Sequence, residues 1–292
     1  MYAGFFQLQL TPFSLTPDTS FYLGLPQHEA ALNVLHIALN NGEGFLKVTG
    51  EVGTGKTLLC RLLLNAAPTD WQLAYIPDPA LSPLQLRWAL AQELGLKFSA
   101  NIDGPQLLQL LQRQLILLAS QQKRVILVID EAQALPDETL ETLRLLTNLE
   151  TEQQKLLQVV LFGQPELDTR LAARHLRQLR QRITFSHRLT AMTPQQINQY
   201  VLHRLRVAGS EQPLFSASAL RLLHFYSKGI PRLVNILAHK CLMLAYGEGR
   251  TAVGWRHMRY AAADTEAVHR FWHQIPLLGS LILWCRAWRS GL

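Results

Sequence analysis

Apolar residues along the chain change their period near residue 189. Before that point, short apolar runs alternate with longer stretches in which apolar positions recur every three or four residues. Phe45-Leu46-Lys47-Val48, Trp71 to Ile76, Val125 to Ile129, Leu157 to Phe162 and Ile183-Thr184-Phe185 read as strands. His28 to Leu39, Leu58 to Leu64, Leu84 to Leu94, Gln106 to Ala119, Asp137 to Leu149 and Arg170 to Gln181 read as helices. The helix over Gln106–Ala119 is apolar around much of its circumference, which predicts deep burial. Val125 to Ile129 is an unbroken apolar run that suits a central parallel strand covered on both faces. Strands alternating with helices predict an α/β fold built on a doubly wound parallel sheet.

After Leu189 the strand signals cease. Thr193-Pro194-Gln195-Gln196 has capping-box spacing with Pro at the first helical position, and Ser216, Pro231 and Thr251 stand near further helix starts. The expected organisation is a lead-in over 1–27, an α/β core over 28–189, a small all-helical lid over 190–268, and an apolar, basic tail over 269–292. The lead-in mixes Pro with Phe5, Phe6, Phe13, Phe21 and Tyr22, so it is expected to be ordered but irregular, since disordered segments are poor in aromatics. In the tail, the run Ile275 to Cys285 would make about 16 Å of helix against about 30 Å of hydrocarbon, too short to span a bilayer. Trp272, Trp284 and Trp288 beside Arg270, Arg286 and Arg289 suit peripheral docking at a membrane surface. Capping of the helical domain is the other use open to such a tail.

Charge changes the picture through its distribution. Residues 1–169 carry 10 Lys+Arg against 17 Asp+Glu, net −7, whereas 170–292 carry 18 against 4, net +14. Such a basic half suits a solvated face, nucleic acid, anionic lipid, or the acidic half of a neighbouring subunit. Cys60, Cys241 and Cys285 form no C-x-x-C pair, so neither a zinc site nor a disulfide framework is indicated. The N-terminus has no basic stretch before its apolar residues, so a cleaved signal is not expected and a cytoplasmic location fits.

The chemistry concentrates in Gly50-Glu51-Val52-Gly53-Thr54-Gly55-Lys56-Thr57, which reads G-x-x-x-x-G-K-[ST] between a strand and a helix. Its glycines let successive N–H groups turn inward as an anion nest, and a helix starting at about Gly55 adds its positive end. Lys56 is expected on the β- and γ-phosphates of a nucleotide, with the Thr57 hydroxyl on Mg²⁺. The central strand ends in Asp130-Glu131. Asp130 is expected to hold Mg²⁺ and Glu131 to act as general base on water. Gln164, just after the fourth strand, is expected to contact the γ-phosphate and the attacking water.

Taken with Pro12-Phe13, Thr16-Pro17-Asp18, Val128 to Gln133, Leu161 to Leu167 and Gly229 to Asn235, these stretches resemble AAA+ ATPases of the general secretion pathway A (ExeA-like) type, nearest the branch serving MSHA pilus biogenesis. The resemblance covers about residues 1–265. It implies a P-loop NTPase fold, ATP as the nucleotide, a homo-oligomer, and partners among envelope pilus or secretion assembly proteins at the inner membrane. It also implies an arginine finger at Arg182, with Arg180 as the alternative, and a nucleotide-contacting Arg232 at the start of a lid helix. A DNA-associated ATPase of the transposition type is the alternative from another class, and a nucleotide-switched scaffold a third. The Trp-bearing tail favours an envelope partner over nucleic acid.

Overall fold

The computed structural model describes residues 2–99, 102–151 and 154–268, so the tail over 269–292 lies outside the described residues. After a short helix α1 (Tyr2–Phe5), α2 (Pro26–Asn40) leads into β1 (Phe45–Gly50), α3 (Lys56–Asn65), β2 (Trp71–Ile76), α4 (Pro83–Glu93) and α5 (Gly104–Ser120). Then come β3 (Arg124–Ile129), α6 (Asp137–Leu146), β4 (Gln158–Gly163), α7 (Pro165–Leu171), α8 (Arg177–Arg182) and β5 (Phe185–Leu189). Four helices follow: α9 (Pro194–Val207), α10 (Ala217–Ser227), α11 (Pro231–Gly247) and α12 (Trp255–Ala263).

The described residues form two compact units, Gly24–Thr190 and a second made of those up to Leu23 with those from Ala191 to Val268. In the first, five strands pair in parallel in the order β2-β3-β4-β1-β5. Side chains alternate across this sheet, as a pleated strand requires. Val125, Leu127 and Ile129 enter the layer packed by α4 to α8, while Ile126 and Val128 enter the layer packed by α2 and α3. Every residue of β4 is buried, as expected for a strand covered on both faces. Carbonyls at the end of α2 and in the loop after it are taken by side chains from the strand starts: Arg124 donates to Leu39 O and Asn40 O, and Gln158 to Leu39 O and Glu43 O.

Four expectations change. The helix expected to be deeply buried, α5, buries Leu107, Leu111, Leu115 and Leu118 along one stripe. Ile116 and Leu117 face outward, because only one side meets the sheet and α4. The Arg-rich stretch expected as one helix from Arg170 divides into α7, a 3-10 turn at Arg174–Leu176, and α8. Pro165 starts the first piece early, as its fixed φ and missing N–H favour at a helix start. The last strand begins at Phe185 rather than Ile183, since parallel pairing with β1 starts at Leu46↔Phe185. Its polar Ser186-His187-Arg188 gave it no apolar signature. Helix α12 starts at Trp255, past Thr251.

The second unit packs α9 to α12 together with the lead-in. Thr193 and Gln196 close a capping box at α9, and Ser216 caps α10. Gly229, at φ +79°, could not carry a side chain: a Cβ would lie 2.2 Å from Met192 O. The lead-in is tied down by a buried polar chain. Arg204 of α9 donates to Pro12 O and, at 2.8 Å, to Tyr200 Oη. Tyr200 donates to Asn235 Oδ1 at 3.0 Å, and Asn235 Nδ2 donates to Ser14 O at 3.3 Å. The Arg204 guanidinium lies 4.6 Å from the centre of the Phe21 ring. Cys60 and Cys241 are buried free thiols.

Arg204→Met should therefore cost about 3 kcal/mol, the order expected for losing a charged donor's buried hydrogen bonds. Urea denaturation measures the loss, and limited proteolysis should cut sooner within the first 23 residues. Unchanged stability and cleavage would mean that the network does not hold the lead-in.

Candidate active site

The strand order decides what meets at the carboxyl edge of the sheet. Because β4 lies between β1 and β3, the turn after β4 stands between the loop after β1 and the acids after β3. A crevice outside the carboxyl ends of such strands is where α/β sheets bind ligands.

The loop from β1 to α3 is shaped by its glycines. A Cβ on Gly50 would lie 2.7 Å from Thr54 Oγ1, while Gly53 and Gly55 take φ of +82° and +100°. Thr54 closes the turn on itself, with its N–H and hydroxyl both donating to Glu51 O. Lys56 starts α3 and is buried, its Nζ donating to Gly50 O at 2.8 Å and Glu51 O at 3.1 Å. Burial pushes its pKa down, opposed by the carboxylates of Glu131, Asp130, Glu51 and Glu166. Glu51 and Val52 are exposed at the loop tip, and Leu58 is half-buried in the first turn of α3.

Thr57 Oγ1 donates to Asp130 Oδ2 at 2.7 Å. Asp130 is 3% exposed. Burial raises its pKa, while the Thr57 hydroxyl and the Glu131 N–H, which donates to Oδ1 at 2.9 Å, favour its charge. Glu131 sits in the left-handed region at φ 48°, so the chain turns sharply and its carboxylate swings beside Gln164, whose Nε2 donates to Oε2 at 3.0 Å. Burial opposes charge on Glu131, but hydrogen bonds from Gln133 and Gln164 and the nearby Lys56 cation outweigh it and hold its pKa low. An ionised carboxylate is the form able to accept a proton.

Two further residues reach the site. Gln133, two positions beyond Glu131, donates to the same Glu131 oxygen and accepts the Gln164 N–H. The Nε2–H of His28, on α2, donates to Thr54 O at 3.1 Å beneath the glycine loop. The signal for His28 was a polar residue on an otherwise apolar helix face; nothing in the spacing of Gln133 announced its partners. The two candidate finger arginines lie elsewhere in the α/β unit. Arg182 ends α8 just before β5, at the opposite edge of the sheet from Lys56, where it and Lys155 favour the charge on Glu150. Arg180 is exposed on the same helix, and Arg232 is exposed at the second position of α11 in the helical unit.

Parallel strands in this order, with a glycine loop on β1 and paired acids on β3, define a P-loop fold of the AAA+ class. The AAA domain family matches residues 39–171. In solved structures the fold recurs in Cdc6p from Pyrobaculum aerophilum at TM-score 0.67 and 22% identity, over 86% of this chain and 69% of that one. It recurs in the Aeropyrum pernix ORC2 protein at 0.61 and 16%, over 87% and 71%. The Thermotoga maritima RuvB branch migration motor gives 0.53 and 15%, over 82% and 68%. The chain carries the fold of the AAA+ class. Within it, the chain is similar to general secretion pathway protein A of Aeromonas hydrophila, 41% identical over 268 residues, 92% of this chain. It spans 49% of that relative's length. Among the described residues, no helix is long and apolar enough to cross a membrane.

His28 generates a pH prediction. Burial lowers its pKa from 6.5, opposed by the Thr54 carbonyl and Glu29. A group depressed in the folded state stabilises above its unfolded pKa and loses that contribution as pH falls. The melting temperature of the nucleotide-free protein should therefore fall below about pH 6.5. His28→Gln keeps an N–H donor without titrating, so the fall should be smaller, the remainder coming from His203 and His239, also depressed by burial. The same pH dependence in both proteins would remove His28 from this role.

Proposed function

We propose that this chain binds ATP with Mg²⁺ and hydrolyses it. In this reading it works as an oligomeric AAA+ ATPase assisting assembly of a type IV-like (MSHA) pilus or a secretion machine at the inner membrane. The observation that carries the chemistry is the contact of Thr57 with Asp130 at 2.7 Å, beside a Glu131 held by Gln164. A hydroxyl and a carboxylate side by side offer the hard oxygen donors Mg²⁺ prefers. The bound ion would supply charge neutralisation on the phosphates. The loop amides of Gly50 to Thr57 and the Lys56 ammonium bind and orient those phosphates. Glu131 takes the proton from the attacking water, and Gln164 orients that water.

The cellular role draws on the likeness to general secretion pathway protein A, and ATP on that likeness and on the ORC2 relative, solved with ADPNP and ADP. Arg182 stands too far along the sheet to reach its own glycine loop, five strand residues away at β5's other end. It is suited to act in trans on a neighbouring copy, head to tail. The −7/+14 division of charge between residues 1–169 and 170–292 favours such packing.

Lys56→Ala should weaken nucleotide binding, whereas Glu131→Gln should bind ATP normally and turn over roughly 10²–10⁴-fold more slowly. A Glu131→Gln protein that hydrolyses ATP at the parent rate would exclude Glu131 as base. Specific activity should rise with protein concentration, and mixing Arg182→Ala with Lys56→Ala subunits should restore part of it. Activity independent of concentration, with no rescue on mixing, would rule out a finger supplied in trans.

A further inference from the structure

Gln133 touches three parts of the site at once. Its Nε2 donates to Glu131 Oε2, its Oε1 accepts the backbone N–H of Gln164 at 2.9 Å, and its carbonyl accepts Arg170 Nη1 at 2.6 Å. Gln164 Nε2 donates to the same Glu131 oxygen. Two amides thus converge on Oε2, and Oε1 has no hydrogen-bond partner among the described residues. The amide of Gln133 has only one useful orientation. Reversed, it would set its carbonyl against the carboxylate and its NH₂ against a backbone N–H. The backbone behind it is pinned as well, because Arg170 also pairs with Asp137, which accepts from His175 Nε2 at 2.7 Å.

We propose that Gln133 is a positioning residue for hydrolysis. It grips Glu131 by Oε2 so that Oε1 is presented to the attacking water, and it joins that carboxylate to the Gln164 turn so the two groups keep one geometry. This rests on Glu131 being the base. A glutamate on a sharp left-handed turn has three side-chain torsions to explore, and a second donor on Oε2 restricts them. Misplacement of a reacting group by about 1 Å can cost on the order of 10² in rate. Among the described residues no hydrogen bond joins Gln133 to the glycine loop, so nucleotide affinity should be independent of it.

The test is a double-mutant cycle of Gln133→Ala with Glu131→Gln, plus Gln133→Glu alone, measured as kcat and KM for Mg-ATP, fluorescent ADP affinity and melting temperature. Both Gln133 variants should lower kcat about 10- to 100-fold and leave KM and ADP affinity within about twofold. Gln133→Glu keeps the acceptor for the Gln164 N–H but loses the donor, so a loss matching that of Ala assigns the effect to the bond with Glu131. On the Glu131→Gln background, Gln133→Ala should cost nothing further. A variant that loses ADP binding is replaced by Gln133→Met, similar in shape and without donors. Parent kcat in the Gln133 variants, or a loss that multiplies undiminished on the Glu131→Gln background, overturns the proposal. If Glu131→Gln is itself as fast as the parent, the base assignment fails and the proposal with it; if Glu131→Gln is slow and the Gln133 variants are not, only the proposal fails.

Discussion

Opposite charges buried at one edge of a sheet are the constraint on which this structure turns. Lys56 is 5% exposed and Asp130 3%, and neither tolerates such burial alone. The arrangement answers with partners drawn from different strands. Carbonyls of the glycine loop take the ammonium, and the Thr57 hydroxyl and the Glu131 N–H take the carboxylate. Those partners converge only because β4 separates β1 from β3 in a parallel sheet, so three turns open at the same edge. A site built this way is sensitive to register. Shifting β3 by one residue would turn Asp130 to the other face and leave Thr57 unpaired.

The helical unit buries a cation by a different route. Arg204 is 7% exposed and is held by a carbonyl, a phenol and two aromatic faces rather than by a close carboxylate, with its Nη2 buried and making no hydrogen bond among the described residues. Guanidinium is weakly hydrated and planar, which suits it to rings and carbonyls where an ammonium would need more solvent. Its partners Pro12 and Phe21 belong to the lead-in. The segment that precedes the sheet in sequence is therefore part of the helical unit in space. The chain thus passes from one unit to the other and back, and the small unit gains a polar buried network in addition to its helix packing.

At the active edge, hydrogen-bond direction does as much as position. Amides of Gln133 and Gln164 both donate to one oxygen of Glu131, which keeps that group ionised despite burial and distinguishes its two oxygens. Asp130, one residue earlier, is shifted the other way by burial. Adjacent acids with opposed environments are a common division of labour in catalytic sites, and they suit the division proposed above between holding a cation and accepting a proton.

Local chemistry determined much of this protein. Gly50, Gly53 and Gly55 state a backbone conformation, Thr193 and Pro194 state a helix start, and the apolar run Val125 to Ile129 states a strand covered on both faces, each because a few neighbouring residues suffice. The pairing of Lys56 and Thr57 with Asp130 and Glu131 was legible for the same reason, as each motif carries its own geometry. Contacts between distant residues that no motif announces were not legible. That α5 exposes Ile116 and Leu117, that β5 begins at Phe185, and that the lead-in joins the helices depended on which surfaces meet after folding. So did the roles open to His28 and Gln133. A histidine on a helix and a glutamine after a strand acquire meaning from Thr54, Glu131 and Gln164, between 2 and 31 residues away along the chain, and only the strand order brings those partners within reach.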